Sequence, residues 1–340
     1  MKLRVLAFAA AVVAACSSGP NWVWPPDDFA LQDESVPFDP NTLIDQTASL
    51  TDPTALPDQP SIQGFLAQTP YGTESFLATY ASNGVSASTA IANASATFQL
   101  NPLLFLVRAE VDQALLSQTT YPTPAARVEY AFGCGCDEVP SPANPTPRCD
   151  PALAGFDKQV DCLARTMRSY LDAVCGTAQV TQGGWATNVT ATTIDGVDVT
   201  PANEGTAALY QYAPLVLVNQ PGGNWFFWNV YQLYASTIAY PGAYEDAWVG
   251  DPCCGASACS GYPNGLCVVN YPNGMCSASC TTQADCPMSE GRSSLCSSFG
   301  ASGAFCLFDC TTNPCRQGYV CQSVGLVAGG SGLACLPATN

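Results

Sequence analysis

The chain has 340 residues, with 10 basic and 27 acidic side chains for a formal charge of −17, and it contains no histidine. An acidic chain without a basic run is a poor partner for nucleic acid, which is held through its phosphates by Lys and Arg. The missing histidine removes Ser-His-Asp and Cys-His nucleophile pairs, His-ligated zinc and any histidine general base.

Lys2 and Arg4 precede an apolar run over 5–15, and Cys16 follows directly on Ala14 and Ala15. A charged start, a short apolar middle and small residues before the cut predict a signal peptide over 1–15. The junction resembles the lipobox of bacterial lipoproteins, which implies a lipid on Cys16 and attachment to a membrane. Eleven apolar residues fall short of the roughly 20 that a membrane-spanning helix requires. Ser17, rather than Asp, follows the cysteine, which by the same resemblance implies sorting to the outer membrane, on its periplasmic or surface face. Loss of 1–15 leaves 8 basic residues against 27 acidic ones, a charge of −19. Residues 16–60, rich in Pro, Asp, Ser and Thr, predict a flexible tether.

Residues 61–248 carry long apolar periodic segments and predict the main, mostly helical domain. The stretch 86–99 predicts a helix with small residues facing its neighbours, and Asn101-Pro102 starts a second that runs to about residue 116. A loop rich in Pro and Cys over 133–151 leads to a third, over 155–173, with Phe156, Val160, Leu163, Met167 and Leu171 at helical spacing. Between Glu204 and Glu245 no residue is charged. The Asn-Gln-Pro-Gly-Gly-Asn run at 219–224 interrupts that segment, so it predicts a short apolar piece at 215–218, a turn, and an aromatic helix from 224 to about 236 rather than a membrane span. Core packing is expected of Trp225, Phe226, Phe227 and Trp228, with a sugar-stacking surface as the alternative.

Nineteen cysteines, less Cys16, leave eighteen in an exported chain, and these predict disulfides rather than metal ligation by Cys134 with Cys136 or by Cys253 with Cys254. Five lie between 134 and 175 and thirteen between 253 and 335, so full pairing demands at least one bridge between the two groups. Residues 249–340 are Gly-, Ser- and Cys-rich and predict a loop-rich region held by disulfides. Tyr262-Pro-Asn-Gly-Leu-Cys267 recurs as Tyr271-Pro-Asn-Gly-Met-Cys276, and Cys276, Cys280, Cys286, Cys296 and Cys306 are echoed by Cys306, Cys310, Cys315, Cys321 and Cys335. This spacing resembles the small cysteine modules of surface lipoproteins of myxobacteria and their relatives, a likeness that assigns no activity and no partner for the tail.

The main domain resembles the endo-β-N-acetylglucosaminidase and lytic transglycosylase branch of the lysozyme superfamily over most of 61–236. Five segments agree in order: 86–102 for a helix and the Asn101-Pro102 start that follows it; LFLVRAEVDQALLS at 104–117 for the catalytic helix; AFGCGC at 131–136; GFDKQ opening at 155; and TPANEGTAALYQYAP at 200–214 with NWFFWNVYQLY at 224–234. The resemblance implies a mainly α, lysozyme-like fold and peptidoglycan, or a related amino-sugar glycan, as partner. Neither a cofactor nor a metal is implied. The family carries its catalytic Glu ten residues after this proline, which here is Asp112, followed by Gln113. Glu110 stands where the family usually has Gln. Two positions turn a helical side chain by roughly 200°, which puts Glu110 beside Leu103, Leu106 and Val107 and predicts a helix-surface or inter-helix carboxylate.

Glycoside cleavage needs a protonated acid at the leaving oxygen. Asp112 is the candidate, though Asp is more acidic than Glu by about 0.4 units and a methylene shorter. A second carboxylate is sought among Asp137, Glu138 and Glu204, or the substrate's own acetamido or 6-hydroxyl group serves. Gln113, Tyr210, Tyr212 and Glu138 are the expected glycan contacts. Three functions follow: a peptidoglycan hydrolase with Asp112 as general acid, a glycan-binding lipoprotein that has lost turnover, and an adhesive or structural cysteine-rich lipoprotein.

Overall fold

The computed structural model describes residues 37–45, 47–52, 55–137, 148–176, 179–220, 222–239, 248–254, 259, 262–271, 274–288, 292–316 and 318–338. The expected signal peptide, Cys16 and Glu138 lie outside the described residues. The described residues form two compact units, one of those up to 171 together with those in 180–241, the other of those in 172–179 together with those from 242 on.

The first unit is helical. Its helices are α1 (Gln59–Ala67), α2 (Ala87–Phe98), α3 (Pro102–Gln113), the single turn α4 (Ala126–Glu129), α5 (Phe156–Cys175, whose last turn belongs to the second unit), α6 (Glu204–Tyr212) and α7 (Asn224–Thr237). Two small antiparallel hairpins, β1 (Ala81–Ser82) with β2 (Val85–Ser86) and β3 (Ala191–Thr192) with β4 (Asp198–Val199), join them. Side chains cap the helix starts: Asp58 accepts from Ser61 N, Ser86 from Thr89 N, Asn101 from Leu103 N and Asn203 from Thr206 N. Each such cap satisfies a backbone donor that the helix itself leaves open and contributes about 1 kcal/mol. The helices expected over 86–99, from Pro102, over 155–173 and from 224 form at those places.

Helix α3 is the centre of the unit. Its residues are buried all round except Asp112, and it packs most extensively against α7. Phe226, Phe227 and Trp228 of α7 are buried and Trp225 is half-buried, so the aromatic run is largely core. On α5 the five apolar residues at helical spacing are completely buried, which is the amphipathic pattern realised. Among the described residues no helix is long and apolar enough to cross a membrane.

The expected tether over 16–60 is overturned at its C-terminal end. Leu43, Ile44, Leu50 and Leu56 are buried. Ala202 N donates to Asn41 O at 2.8 Å, Asn101 N to Leu50 O at 2.7 Å, and the Tyr210 hydroxyl to Pro40 O at 2.8 Å. A few aliphatic side chains suffice to dock a Pro- and Asp-rich segment once its backbone groups also find partners.

The second unit repeats one small device three times. Hairpins β5 (Gly265–Cys267) with β6 (Cys276–Ala278), β7 (Ser294–Ser298) with β8 (Ala304–Phe308), and β9 (Tyr319–Gly325) with β10 (Ser331–Pro337) each place two cysteines directly opposite one another: Cys267 and Cys276, Cys296 and Cys306, Cys321 and Cys335. These do not bond to each other. Two cysteines preceding each hairpin take them in order, giving Cys253–Cys267 with Cys259–Cys276, Cys280–Cys296 with Cys286–Cys306, and Cys310–Cys321 with Cys315–Cys335. First pairs with third and second with fourth in every module, so the repeat read in the spacing is a repeat of connectivity. The sulfurs that cluster in threes belong to these bridges, and metal ligation by Cys134, Cys136, Cys253 or Cys254 is likewise excluded because each is in a disulfide. Cys175–Cys254 is the bridge between the two cysteine groups that their odd counts required.

Both Pro-Asn-Gly turns need their glycine. A Cβ on Gly265 would lie 1.7 Å from Cys259 O, and one on Gly274, at φ +61°, would lie 2.2 Å from Cys253 O. The threonines after Cys280 and Cys310 fold onto carboxylates, with Asp285 accepting from Thr281 N and Thr282 N and Asp309 from Thr311 N. Arg316 of the third module reaches the first, donating from Nη2 to Gly274 O and from Nε to Gly250 O at 2.9 Å.

Candidate functional site

Asn101 caps α3 and Pro102 presets its first turn, so the register of every later side chain on that helix is fixed from its N-terminus. Three turns on, Asp112 is the one residue of the helix that is not buried, and its carboxylate meets three donors. Arg108, one turn earlier, forms an ion pair with it through Nη2 and also donates from Nε at 3.3 Å. The Tyr212 hydroxyl at the end of α6 donates to Oδ2 at 3.0 Å. The Arg108 guanidinium lies 4.4 Å from the Tyr212 ring centre and 5.8 Å from that of Phe227 on α7, so three helices converge on one charge pair. The Arg108 side chain is 3% exposed and that of Asp112 is 11%.

Burial pushes the Asp112 carboxyl up from its ordinary value, and the Arg108 charge and the Tyr212 hydrogen bond pull against it. The Tyr212 phenol is likewise raised, first by burial and then by the Asp112 charge. A carboxylate that accepts three hydrogen bonds, two from a guanidinium, is stabilised as the anion. It can accept from an amide or hydroxyl of a ligand more readily than it can give up a proton.

Of the described residues expected at the site, the structure brings only Asp112 and Tyr212 together. Tyr210, expected on a groove, is completely buried, stacks on Trp185 at 4.9 Å and spends its hydroxyl on Pro40 O. Successive helical residues point about 100° apart, so Tyr210 and Tyr212 of α6 face opposite ways. Gln113 is also completely buried and is a core residue rather than a glycan contact. Asp137 is exposed and paired with Arg148 at 3.3 Å. Glu204 opens α6, where a negative charge favours the helix dipole.

Glu110 is no surface residue. It is completely buried, and its Oε2 accepts from Leu116 N at 2.8 Å and Ser117 N at 3.1 Å, locking the chain where it leaves α3. Ser75 Oγ donating to Leu115 O, Phe76 N to Gln118 O and Arg127 Nη2 to Gln113 O complete that lock. Burial raises the Glu110 carboxyl despite these donors. Folded chain therefore holds this proton to higher pH than unfolded chain, and stability falls as pH rises from about 4.3, the ordinary Glu value, through the raised one. In Glu110→Gln the urea midpoint should fall less over that interval than in the native chain. Parallel curves for the two proteins would contradict the assignment.

Arg108 and Phe227 were not anticipated as parts of the site. The signal for Arg108 is present, since Arg and Asp four apart on a helix are neighbours; nothing local marks Phe227, which reaches the pair only through the packing of α7. No protein-family model, curated protein or solved structure matches this chain.

Proposed function

We propose that this chain is a lipid-anchored cell-envelope protein that grips amino-sugar glycan, peptidoglycan first among them, through its helical unit on a lysozyme-like frame. The carrying observation is the place of Asp112: the one residue of an otherwise buried helix that keeps partial solvent contact, held by Arg108 and Tyr212. Arg108 sets the balance between binding and cutting. A general acid must carry its proton at the moment of cleavage, and the guanidinium favours the opposite state. It also puts positive charge beside the position where an oxocarbenium-like sugar would develop its own. The reading is therefore recognition without efficient turnover. Cys16 supplies the anchor.

A second reading, hydrolysis or transglycosylation with Asp112 as general acid, is favoured by the burial that raises this carboxyl. Incubating the chain from residue 20, disulfides formed, with purified peptidoglycan and with chitooligosaccharides separates the two. Co-sedimentation with peptidoglycan, weakened in Tyr212→Phe and Asp112→Asn, without soluble products by mass spectrometry supports recognition. Soluble muropeptides that vanish in Asp112→Asn establish the enzyme. Neither retention nor products would end both readings.

A further inference from the structure

We infer that the cysteine-rich unit holds a second ligand site, for a short uncharged oligosaccharide, between its first and second modules. A cavity of about 560 Å³ opens there, inside the range of about 300–1,000 Å³ usual for small-ligand sites. Its walls come from the strand end and turn after Cys267 on one side and from the β7–β8 hairpin on the other. Tyr271, Phe299 and Phe305 supply aromatic surface, all half-buried; Phe299 and Phe305 stand 6.1 Å apart across the hairpin. Val269, 41% exposed, and Leu266 fill the apolar wall. Asn270 and Ser302 stand exposed among the lining residues.

Three properties choose the ligand class. Among the described residues no acidic or basic side chain lines the cavity, although the chain as a whole carries 27 acidic residues, so neither a charged glycan nor a peptide with charged side chains finds a counter-ion there. Aromatic faces with an amide and a hydroxyl suit a pyranose ring, whose C–H face lies on the rings while its hydroxyls reach donors and acceptors. An acyl chain has no hydroxyls to meet that amide and hydroxyl. The frame is also rigid: Cys253–Cys267, Cys259–Cys276, Cys280–Cys296 and Cys286–Cys306 fix both walls, and Ser277 Oγ donates to Cys306 O at 2.8 Å between them. A preformed wall loses little entropy on binding.

Titration calorimetry of the chain from residue 20, which keeps every described residue, tests this with cellotetraose as the probe and sodium decanoate as competitor. Native chain and Asp112→Asn should bind cellotetraose alike, because the site is independent of the helical unit. Tyr271→Leu/Phe299→Leu keeps apolar volume and removes the ring faces, and should weaken binding about tenfold. Asn270→Ala, at an exposed position with no fold at risk, should weaken it as well. The inference is overturned by the absence of cellotetraose binding, by full affinity in both variants, by loss of binding in Asp112→Asn, or by displacement with decanoate. Peptidoglycan retention that fails while cellotetraose binding persists would refute only the reading of the helical unit.

Discussion

Replacing Cys280 and Cys296 together with Ser is expected to unfold the second module while leaving the helices intact. The bridge closes a loop with a sequence separation of 16, and cross-linking a loop of this length stabilises a fold by about 3 kcal/mol. The buried residues beneath the module are few, chiefly Val249, Ala278 and the cysteines themselves, so the hydrophobic contribution of so small a core does not replace the bridge. Limited proteolysis should cut the double variant within 280–309 under conditions in which the native chain survives, with the far-UV helical signal retained. Equal resistance of the two chains would show that the hairpin stands without its bridge. Peptide mapping of the native chain adds an independent check, since the interlaced order, first with third and second with fourth, should appear in all three modules.

Removing Arg108 should have the largest effect in the helical unit. In Arg108→Ala the Asp112 carboxylate keeps only Tyr212 as a partner in a site where it is 11% exposed. Orphaning a fully buried charge costs about 3–5 kcal/mol, and the residual solvent contact here brings the expectation down to about 2–3 kcal/mol. For a unit of this size that lowers Tm by roughly 4–12 °C. The loss should be pH-dependent in a defined direction. Without the guanidinium the Asp112 carboxyl rises further, so the folded state prefers the proton and stability declines as pH rises through the raised value; the variant should recover part of its deficit on acidification. Arg108→Met, which keeps the stem that packs beside Tyr212 and Phe227, separates charge from packing. A variant as stable as the native chain at pH 7 would mean that the pair contributes nothing. If Arg108→Met cleaves peptidoglycan while the native chain does not, the ion pair is what silences Asp112.

Much of the scaffold was legible in the sequence because its signals are local. Asn101-Pro102 marks a helix start by capping and by a fixed φ, and the five apolar residues of α5 mark its buried face by their spacing alone. Parity of the cysteine groups required a bridge such as Cys175–Cys254, and the recurring spacing marked a repeat without saying how its sulfurs pair. Residues 37–56 misled because their composition is that of a linker, whereas Leu43, Ile44 and Leu50 pack against residues far along the chain. Tyr210 misled for a related reason: a motif shared with a family names positions, and which of two neighbouring tyrosines faces inward depends on how the whole helix is seated.

Composition, periodicity and cysteine count thus determined by themselves that a helical region is followed by a disulfide-held one, whereas Asp112 was singled out only by the resemblance of its helix to a family motif. Only the tertiary structure decided what surrounds that carboxyl. Arg108 from the same helix, Tyr212 from α6 and Phe227 from α7 meet there across separations in sequence of 4 to about 115 residues, a convergence that packing creates and local propensity does not encode. The same holds for the connectivity of the bridges: spacing limits which sulfurs can meet, and the folded hairpins decide which do.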